Sequence, residues 1–290
     1  MYYIPKRNHL KKTFLVLFSC VHFFCLSIFA SGEYQSVGAR HLAIGSASVT
    51  YSDVFSTNYN QAGLGFISSI SIGASTEIRY INTGIYNAQI AVAVPIKKAG
   101  TFAYACNFFG DKNYNEIRTG IAYGKAFGKK VSIGVRFDYM RATIATLGSK
   151  NAFSFDFGVQ YRVINNLIIG AHVSNPSRFK VDSQKYNERF ATIMQVGARY
   201  IAYNKVSISA EFEKDLEHKP NFKFGVEYNP ISILFIRAGI QTQNIQSSFG
   251  LGIQTKGLQI DFGASYHPQL GFSPGISLVY NLKKIEKATE

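Results

Sequence analysis

The chain has 290 residues, with 31 Lys and Arg against 17 Asp and Glu for a formal net charge of +14; only 17% of it is charged, while 47% is hydrophobic and 14% aromatic. That composition excludes a disordered chain, and three cysteines are too few for a disulfide scaffold. Beyond the N-terminal stretch no run of 18 apolar residues occurs, so helical membrane spans are excluded too.

Residues 1–13 carry Lys6, Arg7, Lys11 and Lys12 without an acid, and Phe14 to Ala30 then runs apolar into Ala30-Ser31-Gly32. This order predicts a secretory signal peptide over residues 1–32, with Glu33 first in the exported chain. Cys20 and Cys25 would leave with it, so Cys106 remains alone and neither an internal disulfide nor a cysteine metal site is expected. The exported part keeps an excess of bases whose lysines stand singly or in pairs at turns. Its expected partners are outer-membrane lipid and lipopolysaccharide, not nucleic acid.

Residues 33–65 show no long period-two run, yet carry Leu42, Ile44, Val49, Val54, Phe55 and Leu64. That is too much apolar surface for a free tail, so the segment has to be buried somewhere.

From Phe66 to Leu282 apolar and polar residues alternate with period two, in segments of about 10–14 residues separated by turn residues. Phe153, Phe155, Phe157, Val159 and Tyr161 share one face, against Ser154, Asp156, Gly158, Gln160 and Arg162 on the other. A soluble sandwich would alternate similarly, but this polar face is rich in glycine (Gly120, Gly124, Gly134, Gly158, Gly225, Gly263). The segments also reach the 9–11 residues or so that a membrane strand needs. About fourteen strands are predicted, starting near Phe66, Ile85, Thr101, Tyr114, Val131, Ala152, Leu167, Ala191, Val206, Asn221, Ser232, Ser248, Leu258 and Phe272. Tight turns are expected at residues 97–100, 128–129, 165–166, 204–205, 229–230 and 256–257, with longer links between them, the longest from Asn175 to Arg189. The fold class is therefore all-β: a transmembrane antiparallel β-barrel of about 14 strands over residues 66–282, in the cell outer membrane. Residues 283–290 form a periplasmic tail, and residues 33–65 a short N-terminal hatch inside the lumen. Tyr80, Tyr123, Tyr139, Tyr161, Tyr200, Tyr228, Tyr266 and Tyr280 are expected to form an aromatic girdle on the lipid side.

Ahead of the first strand stand Gly38-Ala39-Arg40, Gly45, Asp53 and Asn60-Gln61-Ala62-Gly63-Leu64. This series resembles the N-terminal region of FadL-type outer-membrane barrels, and more closely their PorV/PorQ-like relatives of Bacteroidota, where proline usually stands at the position of Gln61. The resemblance implies a barrel with a hatch built from Gly38, Ala39, Arg40, Gly45, Asp53, Asn60, Ala62, Gly63 and Leu64.

The lumen is expected to be lined by Glu77, Arg79, Arg118, Arg136, Asp138, Asp156, Arg162, Arg199, Glu227, Arg237 and Asp261, with Glu116, Glu211 and Glu213 on the same faces. Mixed signs suit ion pairs that hold a plug, and Arg40 should meet an acidic wall residue and Asp53 a basic one. His172 and Ser174 with Asp156 or Asp261 show no catalytic spacing, and six scattered histidines show no metal spacing. No enzyme, metal or cofactor is expected. Three functions suit the architecture: passive transport of small hydrophobic or amphipathic molecules, an accessory barrel of a type IX-like secretion system that binds a secreted protein, or a structural protein without a conduit.

Overall fold

In a strand, successive side chains leave opposite faces, so an alternation of large apolar residues with small or polar ones sorts them onto two surfaces. The computed structural model describes residues 37–176, 191–216 and 218–284, and in these the alternation builds fourteen strands. They are β1 (Ser69–Arg79), β2 (Ile85–Ile96), β3 (Gly100–Gly110), β4 (Tyr114–Phe127), β5 (Val131–Ile144), β6 (Gly148–Ile164) and β7 (Leu167–Ser174). There follow β8 (Ile193–Ala202), β9 (Val206–Asp215), β10 (Asn221–Ile231), β11 (Leu234–Gln241), β12 (Gln246–Thr255), β13 (Leu258–His267) and β14 (Gly271–Lys284). Each pairs antiparallel with its neighbours, and β1 pairs with β14, from Ser71 opposite Asn281 to Glu77 opposite Gly275. The sheet therefore closes without a free edge, as a bilayer requires of any backbone that has no water to bond.

The expected strand starts lie within four residues of these, the largest difference being Ala152 for Gly148. One turn was misplaced. Asn229 and Pro230 belong to the end of β10, and the chain reverses at residues 232–233. Proline is tolerated there because the β10–β11 register shifts between Tyr228 and Ile231, while the Asn229 side chain donates to the carbonyls of Ile231 and Leu234. The six tight links, 97–99, 128–130, 165–166, 203–205, 232–233 and 256–257, all lie on one rim, which also receives the start of β1 and the end of β14. Links on the opposite rim are three residues or longer, the longest covering 175–192. Residues 177–190 of that link lie outside the described residues, as do the expected signal peptide and residues 285–290 of the expected tail.

The outer surface carries Ile90, Phe102, Ile121, Phe137, Phe155, Phe224, Leu251 and Phe262, each exposed. An apolar surface running round a closed barrel has lipid as its only stable neighbour. Tyr161, Tyr200, Tyr228 and Tyr280 lie on this outer face toward the rim of tight links, and Tyr266 toward the other. Tyr80 departs from the expected girdle. Its positive φ of 53° ends β1, and its ring packs edge-on against His267 while its hydroxyl accepts a hydrogen bond from Gln246, both of which face inward.

Phe157 sits at the centre of β6 with its side chain outward. Phe157→Lys is expected to cost about 2–4 kcal/mol in urea unfolding from lipid vesicles; an unchanged midpoint would place that face away from lipid.

Candidate functional site

Residues 37–66 are buried almost throughout, and their wall contacts are with inward-facing residues. They form a short helix α1 (Ala39–Ala43), a single turn α2 (Ser56–Tyr59) and the 3-10 stretch η1 (Gln61–Phe66) that leads into β1. None could stand alone in water, since helices this short do not repay nucleation. Tertiary contacts hold them instead. Val54, Phe55, Tyr59 and Leu64 pack against Ala91, Ala93, Ala103, Ala105 and Ala122 of β2 to β4, so the apolar core of the molecule lies inside the barrel.

At several inward glycines the wall offers no side chain at all. A Cβ on Gly134 would come 2.1 Å from the Gln61 carbonyl carbon, one on Gly239 2.1 Å from the Gly45 nitrogen, and one on Gly225 2.4 Å from the Ile44 oxygen. The segment's backbone thus lies directly on the wall's backbone. Gly158 belongs to the same set, since its Cβ would meet Asn60 Oδ1 at 2.0 Å. From the sequence alone Gly158 would be expected to tolerate serine; Asn60 occupies the room that serine would need. Gly120 differs, facing the Asp138 carboxylate.

Burying this backbone leaves polar groups that must find partners. Asn60 Nδ2 donates to the carbonyls of Val49 (2.8 Å) and Val159 (3.1 Å), and its Oδ1 accepts from the Ala62 N–H. Ser132 Oγ donates to Ala62 O at 2.7 Å, and Gln160 Nε2 donates to the carbonyls of Val49 and Tyr51. Glu211 accepts the N–H groups of Ser48 (2.7 Å) and Val49 (2.9 Å), while its other oxygen takes Lys223 Nζ at 3.2 Å. Ser277 Oγ accepts the Ala39 N–H at 3.1 Å, and Arg136 donates to Thr57 O at 2.8 Å.

Beside Lys223, which reaches Glu213 at 2.5 Å as well as Glu211, the inward charges form three further groups. In the first, Arg40 of α1 makes a two-point contact with Glu227 at 2.7 and 2.9 Å, and Glu227 also accepts from Arg237 (2.6 Å), which reaches Asp261 at 2.7 Å. In the second, Arg118 bridges Asp138 and Asp156, and Arg136 pairs with Asp138 at 2.7 Å. Glu77 and Arg79 make a third pair at 3.4 Å. Arg162 and Arg199 serve differently, lying over the rings of Phe66 (3.7 Å) and Tyr51 (4.1 Å).

Asp53 does not meet a basic wall residue. Its partners are His41 at 3.0 Å and Arg40 at 3.6 Å on its own segment, and it accepts the Phe55 N–H. Burial would raise its pKa, but His41, Arg40 and that N–H outweigh it and hold the carboxyl at about 2. Burial likewise opposes the Arg40 charge, yet Glu227 first, then Tyr51 and Asp53, keep its pKa above the ordinary arginine value.

Lys223 and His41 escaped the sequence reading. Lys223 alternates with Phe222 and Phe224 and stands two residues from inward Gly225, so its place was legible. His41 had no signal, because its segment has no strand period. Ser174 Oγ donates to Asp156 at 2.8 Å, whereas His172 bonds Gln195 at 3.0 Å, so serine and histidine do not form a relay with the aspartate. On the outer side, small residues Ala74, Thr76, Ala88 and Cys106 of β1 to β3 leave a cleft of about 420 Å³ between Ile90, Phe108, Ile276 and Leu278.

Two outcomes follow. Gly239→Val or Gly134→Val is expected to leave the barrel closed but unseat residues 37–66, so that trypsin cuts at Arg40 in the folded variant and not in the native protein; resistance in both would remove the close-approach argument. A carboxyl held low in the folded state stabilises it above its ordinary pKa near 3.9, and that stabilisation is lost as pH falls toward about 2. Tryptic protection at pH 7 and 5 should therefore match; a conformational probe should show loosening only between about pH 4 and 2, less so in Asp53→Asn.

No family model matches the chain, and no curated protein does. Solved structures do match. The CymD monoaromatic hydrocarbon channel aligns with a TM-score of 0.66 at 10% identity, covering 87% of this chain and 99% of that one. A Pseudomonas aeruginosa FadL homologue gives 0.65 at 10% identity over 87% and 100%, and a TodX monoaromatic hydrocarbon channel variant 0.64 at 11% over 88% and 100%. At such identities the likeness is one of fold alone: like these channels, the chain is a closed β-barrel, here of fourteen antiparallel strands with an apolar exterior.

Proposed function

We propose that the protein is a passive conduit for small hydrophobic or amphipathic molecules across the outer membrane. The observation that carries this is the filled lumen, because a barrel whose interior is packed by residues 37–66 does not offer the open water column of a diffusive porin. A solute must either displace that segment or use the wall. The segment is held by polar contacts that water can replace, and the outer cleft at Ala74 and Ala88 offers an apolar pocket of a size that suits a small hydrophobic ligand. The structural neighbours that are hydrocarbon channels support the same substrate class. The finer likeness to PorV/PorQ-like barrels rests on the series Gly38-Ala39-Arg40, Gly45, Asp53 and Asn60 to Leu64, with Gln61 where those relatives usually have proline.

Cells lacking the protein should take up toluene more slowly, with uptake of a small sugar unchanged. Ala74→Leu with Ala88→Phe fills the cleft from the lipid side and should reproduce several-fold of that loss without affecting heat-modifiable gel migration. Equal uptake in all strains would overturn the proposal, and an altered set of secreted proteins would favour the secretion-accessory reading.

A further inference from the structure

The six tight links turn at one rim, and neither they nor the three residues on either side of any of them include an Asp or Glu. They do contain Lys97, Lys98, Lys129, Lys130, Lys205 and Lys256, all exposed and spread over four of the six links. The opposite rim mixes signs: Asp111 beside Lys112, and Asp215 paired with His218 beside Lys219. The lopsidedness is therefore a property of one rim, not of the barrel as a whole.

A second observation fixes the depth of these lysines. Tyr161, Tyr200, Tyr228 and Tyr280 lie outward near the same ends of their strands, and Tyr123, tilted against Phe102 with ring centroids 4.9 Å apart, donates its hydroxyl to Ala99 O in a tight link. Amphipathic rings in such a belt sit where acyl chains meet headgroups. The lysines, one turn further out, then stand level with lipid phosphates. Both ends of the described barrel strands lie on this rim, and in bacterial barrels of this topology the short turns are periplasmic.

From this we infer that the tight-turn rim is a binding surface for anionic phospholipid headgroups of the periplasmic leaflet, which it gathers round the barrel as a charged collar. Among the described residues no acid stands in or beside the tight links to repel phosphate, the charges are distributed round the circumference as a lipid annulus is, and burial of an acidic protein would need a face rather than a ring. The inference depends on the barrel spanning a membrane and is independent of what it conducts.

The test is electron spin resonance on the full-length barrel reconstituted in phosphatidylcholine vesicles, with spin-labelled phosphatidylglycerol or phosphatidylethanolamine as probe. At low salt the native protein should immobilise phosphatidylglycerol in preference, by roughly threefold or more, and lose most of that preference in 1 M salt. The variant with Lys97, Lys98, Lys129, Lys130, Lys205 and Lys256 each changed to Gln should fall to near parity, while Lys112→Gln with Lys219→Gln on the opposite rim keeps the preference. Unheated gel migration checks that each variant is folded. Parity in the native protein, or an undiminished preference in the six-site variant, overturns the inference. Labelling of Lys129→Cys by an impermeant maleimide in intact cells would also overturn it, by placing the rim among lipopolysaccharide instead.

Discussion

The structure turns on the close approach of two backbones. A fourteen-strand wall encloses more space than its inward side chains fill, and residues 37–66 take up that space by lying against glycine and alanine positions of the wall. Ordinary inward side chains at Gly134, Gly225 and Gly239 would hold the segment several ångströms away, and its carbonyls and N–H groups would then lose Ser132, Gln160 and Glu211 as partners. The strands are laid down by alternation, but what the alternation puts on the inner face is chiefly absence.

The charged groups follow from that arrangement. Beside the neutral contacts of Ser132, Gln160 and Ser277, the segment is bonded by charged side chains that reach over it, namely Glu227, Glu211 and Arg136. Each is itself shared: Glu227 with Arg237, Glu211 with Lys223, Arg136 with Asp138. Removal of a partner from the segment therefore leaves no wall charge stranded, which is the condition for a plug that can shift without unfolding the barrel. A segment fixed by one unshared buried pair would be costlier to move, by an amount on the order of 3–5 kcal/mol.

Much of this was legible in the sequence because a strand reports its facing residue by residue. Phe153 to Arg162 displayed both faces of β6, and the mixed lumen charges were readable from the same parity. What failed did so where parity fails. Pro230 looked like a turn because the β10–β11 register shift that accommodates it leaves no mark in the sequence. Tyr80 kept its parity on paper while a positive φ turned its ring to the lumen. The inward glycines stand out in the sequence, yet the particular contact of Gly158 with Asn60 does not, since the segment that meets it has no period to align. For the same reason the partners of Asp53 were misassigned: His41 and Arg40 lie 12 and 13 residues away on irregular chain. The inward alanines of β2 to β4 hid among outward apolar neighbours such as Val92, Tyr104 and Ile121 as a uniformly apolar run.

The account depends on residues 37–66 closing the barrel, and planar-bilayer conductance of a chain lacking residues 37–58 measures that most directly. The native protein should be nearly silent, and the shortened protein, shown by unheated gel migration to be a folded barrel, should conduct in discrete open steps. A folded deletion protein with the same silent trace as the native one would contradict it.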